Sequence, residues 1–265
     1  MNPKRYGPWA LILGASEGVG VSFARQLAQS GINCVLVARQ APLLKQVADQ
    51  VAAEFGVQTR ALPLDLTRPD MLDRIREVTD DLEVGLVVYN AAAVPGGGGR
   101  FLECPLDVAM HVVRLIPIGE VCVSHHFGAK MAERRRGGII LVGSLAGNAG
   151  GIALVSYSAA KAFTQVFAEG LWAELKPLGV EVLCYVVGAT NTPSRARLNL
   201  TDQPGDIVAD PDDIARWALA DIGNGPVQVP EYLRESFRRF SSMPRREAVE
   251  AMNAQLLRMS VGKAN

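Results

Sequence analysis

The sequence predicts an α/β fold with helices on both faces of a doubly wound parallel sheet of about seven strands. Two observations predict it. Short apolar runs alternate along the chain with longer amphipathic stretches. The short runs are apolar at successive positions, which is typical of strands that a parallel sheet buries on both faces. Their repeated alternation with helical stretches favours the doubly wound arrangement.

The predicted strands follow the apolar runs, at residues 9–13, 33–38, 59–64, 85–89, 138–142, 180–187 and 226–229. The predicted helices carry apolar residues at the spacing of one helix face, at 19–30, 41–55, 69–81, 106–135, 157–176 and 212–222. Pro117 lies within the longest helix and lacks an amide hydrogen, so we expect a kink there. We expect one domain over residues 1–265, ending in a helical tail at 231–265.

Composition and charge exclude several classes of protein. Hydrophobic residues make up 49% of the chain, enough for a large core, which excludes a disordered protein. The 27 basic and 27 acidic residues balance, so the charge gives no footprint for a nucleic acid. No apolar run approaches the ~18 residues of a membrane span. The cysteines lack the paired spacing of metal or disulfide sites. We therefore predict no metal and no membrane contact, and we expect a cytoplasmic protein.

A glycine-rich turn follows the first predicted strand. It reads Gly14-Ala15-Ser16-Glu17-Gly18-Val19-Gly20 and leads into a helix. Glycines let the backbone turn sharply and approach a pyrophosphate, and the beginning of a helix favours negative charge. The spacing differs from G-x-G-x-x-G, and similar turns occur without a ligand, so the turn predicts a dinucleotide site only together with other residues.

Arg39 follows the second predicted strand, where an acidic residue would accept hydrogen bonds from a ribose 2′-hydroxyl. An arginine favours a 2′-phosphate instead, so Arg39 indicates NADP(H) rather than NAD(H). Two observations leave NAD(H) open as the alternative cofactor. An arginine after a strand is often an ordinary surface residue, and Glu17 in the glycine turn would repel a 2′-phosphate. We expect tighter binding of NADPH than of NADH.

Three residues near the fifth predicted strand suggest proton chemistry. Ser144 follows that strand, Tyr157 comes 13 residues later, and Lys161 lies on the same helix face as Tyr157. An ammonium group close to a phenol favours the phenolate, so Tyr157 can exchange a proton with an alcohol oxygen. Ser144 can hold that oxygen in place. A Tyr-x-x-x-Lys pair alone is weak evidence, but it follows polar residues at the ends of successive predicted strands.

A long polar segment, residues 190–210, follows the sixth predicted strand. Ligands bind at the carboxyl edge of such a sheet, so we expect this segment to be a substrate lid. Four apolar residues of this segment favour a bulky, apolar and steroid-like substrate: Ala196, Leu198, Leu200 and Ile207. The alternative is an ordinary surface loop in which these residues only pack.

In this order along the chain, these residues resemble the short-chain dehydrogenase/reductase family, in its single-domain branch with a Rossmann-type fold. The similarity extends from about Trp9 to Thr192 and is specific in order and spacing. Within the family, the chain is most similar to bacterial NADP-dependent hydroxysteroid dehydrogenases of the 7-beta type. The motifs that carry this similarity are the glycine turn, Tyr6-Gly7-Pro8-Trp9, His125-His126 and Thr192-Pro193-Ser194.

The resemblance implies a role for each matching position. The residues implied to bind NADP(H) are Gly14, Ser16, Gly18, Val19 and Gly20 at the pyrophosphate, Arg39 at the 2′-phosphate, Asp65 and Leu66 at the adenine, Asn90 and Ala91 at a ribose, and Gly188, Thr190 and Thr192 at the nicotinamide amide. The residues implied to be catalytic are Ser144, Tyr157 and Lys161, of which the last two also contact the cofactor. The resemblance also implies a homodimer or homotetramer built on helices 106–135 and 157–176.

One position departs from the family pattern. An asparagine usually stands where this chain has Ile116, and it helps to hold a water that passes protons to the active-site lysine. Isoleucine cannot form hydrogen bonds, so the proton relay is either rebuilt or absent. Two functions therefore stay open. The first is a reductase or dehydrogenase that interconverts a ketone and an alcohol. The second is a cofactor-binding protein with little turnover, acting as a sensor or partner subunit.

Overall fold

The computed structural model describes residues 1–94, 100–197 and 207–260. Its strands are β1 (Trp9–Leu13), β2 (Asn33–Ala38), β3 (Thr59–Pro63), β4 (Val84–Tyr89), β5 (Gly137–Ser144), β6 (Val180–Val187) and β7 (Val227–Gln228). Its helices are α1 (Pro3–Tyr6), α2 (Gly18–Gln29), α3 (Ala41–Phe55), α4 (Met71–Glu77), α5 (Leu106–Val113), α6 (Gly119–Glu133), α7 (Val155–Leu175), α8 (Pro193–Ala196), α9 (Pro211–Asp221), α10 (Arg234–Ser242) and α11 (Arg245–Ser260).

All seven strands join one parallel sheet in the order β3-β2-β1-β4-β5-β6-β7. The chain moves outward from β1 to β3, returns to the centre at β4 and then moves outward to β7. This confirms the predicted doubly wound, Rossmann-type fold. The reversal between β1 and β4 opens a crevice beyond the carboxyl ends of these strands, which is the usual place for a ligand in such a sheet.

The core lies on both faces of the sheet because successive strand side chains point to opposite sides. On β1, Ile12 packs with residues of α2, α3 and α9, whereas Leu11 and Leu13 pack with residues of α4, α6 and α7. All three side chains are fully buried. Two apolar layers therefore hold the sheet rigid, and its carboxyl edge can carry polar groups at fixed positions.

The bounds of most predicted elements agree with the structure to within a few residues, but α4 spans only Met71–Glu77 of the predicted helix 69–81, and two strands differ as well. β5 continues to Ser144 because Gly143 and Ser144 still pair with the end of β6. β7 is shorter than predicted because it borders only β6, through two residue pairs. Among the described residues, no helix is both long enough and apolar enough to cross a membrane.

The irregularity expected at Pro117 is a single π-helical turn, residues Arg114–Ile118, that joins α5 to α6. The backbone before and after this turn keeps helical dihedral angles, so the helix widens without breaking. The Tyr89 hydroxyl donates a 2.5 Å hydrogen bond to the Leu115 carbonyl, which ties the turn to β4. Helices α5 and α6 therefore remain one rod that runs past the carboxyl edge of the sheet.

Candidate active site

Two adjoining cavities lie at the carboxyl edge of the sheet, with volumes of about 260 and about 340 Å³. The first lies along the glycine turn and the ends of β2 and β3, and the second lies along the end of β5 and the first turn of α7. They share lining residues, among them Val19, Asn90 and Thr192. The arrangement can therefore hold an extended ligand in the first cavity with its reactive end in the second.

The glycine turn forms the floor of the first cavity. Gly14 and Gly18 have φ angles of +86° and +55°, in the left-handed region that favours glycine. A Cβ atom at Gly14 would lie 2.8 Å from the backbone of Ala91, so the turn packs directly against the chain after β4. The Asn90 side-chain amide donates a 2.9 Å hydrogen bond to the Gly14 carbonyl and holds the turn in this position.

The electrostatics of this floor fit a pyrophosphate. Helix α2 begins at Gly18, and no side chain caps its first amide groups. These unpaired amides and the positive end of the helix dipole favour an anion. Gly14, Ser16, Gly18 and Val19 line the cavity, whereas Gly20 lies just inside α2, where a Cβ would meet the Gly14 carbonyl. Gly20 therefore lets the helix approach the turn.

Arg39 lies at the rim of the first cavity. Its side chain is exposed and forms no hydrogen bond or ion pair to any described residue. Asp65 and Leu66 line the same end. Burial raises the pKa of Asp65, but hydrogen bonds from the Thr67 amide (2.9 Å) and hydroxyl (2.8 Å), with the nearby Arg39 charge, hold that pKa below its ordinary value. This end of the first cavity therefore has the Arg39 guanidinium, without a hydrogen-bond partner among the described residues, beside the Asp65 carboxylate, which Thr67 holds in place.

Glu17 places a negative charge in the glycine turn, where a phosphate is expected. In the structure this carboxylate pairs with Arg197. The Glu17 carboxylate accepts two hydrogen bonds from the Arg197 guanidinium, one of them 3.0 Å long. Arg197 also lines the first cavity, beside the end of α8. A guanidinium paired with a carboxylate offsets its charge, so the repulsion of a phosphate by Glu17 is weakened. The pair also ties the segment after β6 to the glycine turn.

Ser144, Tyr157 and Lys161 all line the second cavity. Ser144 is the last residue of β5, and its hydroxyl accepts a 3.2 Å hydrogen bond from the Ala146 amide. Its hydrogen remains available to a ligand, because a hydroxyl both donates and accepts. Tyr157 is half-buried in the first turn of α7. Three polar groups from one strand and one helix therefore converge on the same space.

Lys161 lies one helical turn after Tyr157 and is only 2% exposed. Its ammonium nitrogen lies 6.0 Å from the centre of the Tyr157 ring and donates a 2.5 Å hydrogen bond to the Val142 carbonyl. The lysine is thus held from the β5 side and lines the cavity together with Tyr157. A positive charge at this distance can stabilise the negative charge that develops on the phenol oxygen during a proton transfer.

The segment after β6 forms the wall between the two cavities. Gly188 and Thr190 line the second cavity, and Thr192 lines both. The Thr190 hydroxyl donates to the Gly188 carbonyl at 3.2 Å, and the Thr192 hydroxyl caps α8 by accepting from the Arg195 amide at 3.1 Å. Of the apolar residues expected in a lid, Ala196 and Ile207 are exposed and do not line the second cavity, and Leu198 and Leu200 lie outside the described residues.

The C-terminal helix α11 contributes to the second cavity, which the sequence did not predict. Met252, Gln255 and Leu256 line it opposite the segment after β6. The helix is anchored by the Asn253 side-chain oxygen, which accepts a 2.5 Å hydrogen bond from the Ile152 amide. The repeat of Ala248, Met252 and Leu256 at four-residue spacing is the signal that indicates an inward face. Part of the apolar wall of this cavity therefore comes from the tail.

Ile116 is fully buried in the π turn, so no amide stands at that position. One turn later, the Glu120 carboxylate is also fully buried. It accepts hydrogen bonds from the Thr164 hydroxyl, at 2.9 and 3.0 Å to its two oxygens. Within the parts of the chain that the structure describes, no three His, Cys, Asp or Glu side chains are grouped to hold a metal ion.

The sequence matches a protein-family model and is similar to individual known proteins. The family model described as short chain dehydrogenase matches residues 8–203. The chain is 29% identical over 249 residues to a 7beta-hydroxysteroid dehydrogenase of Clostridium sardiniense, covering 93% of this chain and 94% of that protein.

Two solved structures are similar over nearly the whole chain. One belongs to a study of 7beta-hydroxysteroid dehydrogenase stereoselectivity, with a TM-score of 0.88 at 26% identity, covering 95% of this chain and 99% of that one. The other is a short-chain dehydrogenase from Sphingobium yanoikuyae in complex with NADPH, with a TM-score of 0.78 at 27% identity, covering 90% and 97%.

Proposed function

Since this chain belongs to the short-chain dehydrogenase family of oxidoreductases, we propose that it interconverts a ketone and a secondary alcohol with NADP(H). The observation that carries the proposal is the second cavity, which Ser144, Tyr157 and Lys161 line together. This cavity adjoins a glycine turn that fits a pyrophosphate. A dinucleotide bound along the turn would therefore bring its nicotinamide to these side chains.

The proposed chemistry is the transfer of one hydride and one proton. The reduced dinucleotide, when bound, supplies the hydride that the carbonyl carbon accepts. Tyr157 donates its phenolic proton to the carbonyl oxygen, and in the reverse direction it takes that proton back. Ser144 donates a hydrogen bond to the same oxygen and orients it. Lys161 stabilises the phenolate that remains and would hold the nicotinamide ribose of a bound dinucleotide.

The preference for NADPH over NADH is part of the proposal. Arg39 carries the exposed guanidinium at the adenosine end of the first cavity, where it can bind a 2′-phosphate in two hydrogen bonds. Arg197 offsets the charge of Glu17, so the carboxylate in the turn is a weak obstacle to that phosphate. The NADPH bound to the related protein from Sphingobium yanoikuyae supports this preference.

We propose that the substrate is bulky and apolar, and a steroid-like ketone fits this description. The support is the apolar wall that Leu145, Met252 and Leu256 give to a cavity of about 340 Å³. Apolar surface of a ligand gains about 25 cal/mol per Å² when it is buried against such a wall. The similarity to 7beta-hydroxysteroid dehydrogenases over most of the chain points to the same substrate class.

A ketone panel tests the proposed function. We expect the protein to consume NADPH with a steroid ketone and a bulky aromatic ketone, and much more slowly with a small aliphatic ketone, followed by NADPH absorbance. NADPH binding by titration without consumption by any ketone would contradict the proposal. That outcome would favour a cofactor-binding protein that acts as a sensor or partner subunit.

Replacing Leu256 with alanine should weaken binding of the bulky substrate selectively. The side chain loses about three carbon atoms from the cavity wall, and we expect KM for a steroid ketone to rise roughly tenfold with little change in kcat. KM for a small ketone should stay unchanged. Leu257→Ala is the matched control, because Leu257 is adjacent but 54% exposed and does not line the cavity. Equal effects of the two variants would contradict a direct contact with the substrate.

We also propose that the protein forms a homodimer or homotetramer through the rod of α5 and α6 together with α7. Apolar side chains on the outer surface of these helices support it, since Val121 is 42% and Val166 is 68% exposed. Exposed apolar groups gathered on neighbouring helices are typical of a surface that a second subunit covers.

A further inference from the structure

Glu120 is a buried carboxylate that the proposed reaction does not use. It lies in the first turn of α6 and its side chain is fully buried. Burying a carboxylate in a protein interior costs several kcal/mol unless hydrogen bonds or an opposite charge compensate. The groups packed around Glu120 therefore decide whether it is charged and what its charge does.

The hydrogen bonds of Glu120 are compatible with both of its protonation states. The Thr164 hydroxyl lies 2.9 and 3.0 Å from the carboxylate oxygens and 3.1 Å from the Ala160 carbonyl. A hydroxyl has one hydrogen to donate and can accept another. It donates to the carboxylate when Glu120 is ionised. When Glu120 is protonated, the acid can donate to Thr164, whose hydrogen then turns to Ala160. No partner needs to move between the two states.

The opposite charge near Glu120 is the active-site lysine. Thr164 follows Lys161 by three residues on α7, so the two side chains share one helix face. The Glu120 carboxylate therefore contacts α7 about one helical turn after Lys161. The Lys161 ammonium, itself only 2% exposed, is close enough to lower the pKa of Glu120 against the effect of burial. In so poorly solvated a place the attraction between the two charges is strong.

The remaining acids around Glu120 stay neutral in the physiological range. Tyr89 on β4 and Cys184 on β6 face it, and burial followed by the charge of Glu120 raises both of their pKa values. Burial also raises the pKa of Glu120, to about 7, against the opposing effects of Lys161 and Thr164. Glu120 is therefore the acid of this cluster that changes its charge near neutral pH.

We propose that Glu120 is a positioning residue for Lys161: the charge of its buried carboxylate keeps the ammonium in the orientation that serves Tyr157. The proposal rests on the function proposed above. Lys161 is then held by its hydrogen bond to the Val142 carbonyl on the β5 side and by electrostatic attraction to the Glu120 carboxylate on the α6 side. Protonation of Glu120 removes the second of these and loosens the ammonium.

Replacing Glu120 with glutamine tests this inference, because the amide has the same shape and can accept from Thr164 but cannot ionise. For the native protein we expect kcat for ketone reduction to fall as the pH drops through about 7, as Glu120 becomes protonated. For Glu120→Gln we expect no change in that range and, at high pH, a rate lower by roughly 10–100-fold. Glu133→Gln, on the exposed surface of α6, is the control and should behave as the native protein does.

Thr164→Val gives a second and directional test. The hydrogen bond from Thr164 lowers the pKa of Glu120, so its removal should shift the acidic limb of the pH profile to higher pH. The rate above the shifted limb should return to the native level. A limb that stays in place, or a loss of rate at every pH, would contradict the assignment of this ionisation to Glu120.

Stability separates positioning from a structural role. The pKa of Glu120 is raised from 4.5 to about 7, so its contribution to folding is complete below 4.5 and is lost as the pH rises through about 7. Glu120→Gln should therefore raise Tm relative to the native protein by an amount that grows between these pH values and then levels off. A variant that is more stable yet slower supports the proposal, whereas a variant that is less stable at high pH overturns it.

A titration with NADPH keeps this inference separate from the proposed function, since it requires no turnover. If Lys161 binds the nicotinamide ribose, its loosening in Glu120→Gln should weaken NADPH binding about tenfold at high pH. A native protein that reduces no ketone would overturn the proposed function alone, provided that this weakening is observed. Unchanged NADPH affinity together with an unchanged pH profile would overturn the role of Glu120 alone.

Discussion

Replacing Tyr157 with phenylalanine should lower kcat/KM for ketone reduction by about 10²- to 10⁴-fold, the usual contribution of a general acid. The substitution removes one oxygen and leaves the ring against Lys161, whose ammonium lies 6.0 Å from the ring centre. The dissociation constant of NADPH should therefore change little, because the glycine turn and Arg39 are untouched. The measurement is initial-rate kinetics with the best ketone of the panel, alongside a titration with NADPH.

Tyr185→Phe is the matched control for this prediction. It makes the same chemical change on β6, at a hydroxyl that lies outside the second cavity and has no hydrogen-bond partner among the described residues. We expect it to retain the native rate. Full activity of Tyr157→Phe would show that the proton comes from elsewhere, and equal losses in both variants would indicate damage to the fold instead of to the reaction.

The sequence was sufficient to predict the fold because the fold depends on local patterns. Each strand needs only a short apolar run, and parallel strands bring their carboxyl ends to one edge. Polar residues that follow successive strands, such as Arg39, Asn90 and Ser144, were therefore expected near one another. The structure has them along the two adjoining cavities. The spacing of Tyr157 and Lys161 works in the same way, because one helical turn fixes their shared face.

Glu120 could not be identified by local reasoning of this kind. A glutamate in the middle of a helix is usually solvated, and its burial depends on how α6 packs against α7. One signal was nevertheless present. Glu120 lies at helical spacing with Ile116, Val123 and Phe127, and all four are buried. A charged residue on an otherwise apolar helix face indicates either a paired charge or a functional group.

The contribution of α11 to the second cavity was also beyond prediction, for a different reason. The contact between Ile152 and Asn253 joins residues 101 positions apart. No spacing rule links such distant segments, because their approach is fixed only after the sheet and its helices have assembled. Met252 and Leu256 of the tail therefore line the second cavity, whereas Ala196 and Ile207 of the expected lid do not.

Replacing Arg39 with aspartate should reverse the preference between the two cofactors. Hydrogen bonds between a guanidinium and a phosphate contribute about 1.5–3 kcal/mol each. Their loss, together with the repulsion by a new carboxylate, should weaken NADPH binding by at least about 100-fold. NADH binding should improve, because aspartate can accept hydrogen bonds from the ribose 2′-hydroxyl. Binding titrations with both dinucleotides measure the change, and kcat with saturating cofactor should stay near the native value.

The same substitution on a distant surface separates specific recognition from the change in net charge. Arg238 is exposed on α10 and lines neither cavity, so Arg238→Asp should leave both affinities unchanged. Salt gives an independent check, because added ions screen an exposed guanidinium. The NADPH affinity of the native protein should therefore fall with ionic strength more steeply than that of Arg39→Asp. If native affinities for NADPH and NADH are equal, the Arg39 guanidinium does not read the 2′-phosphate, and the charge of Glu17 outweighs the offset from Arg197.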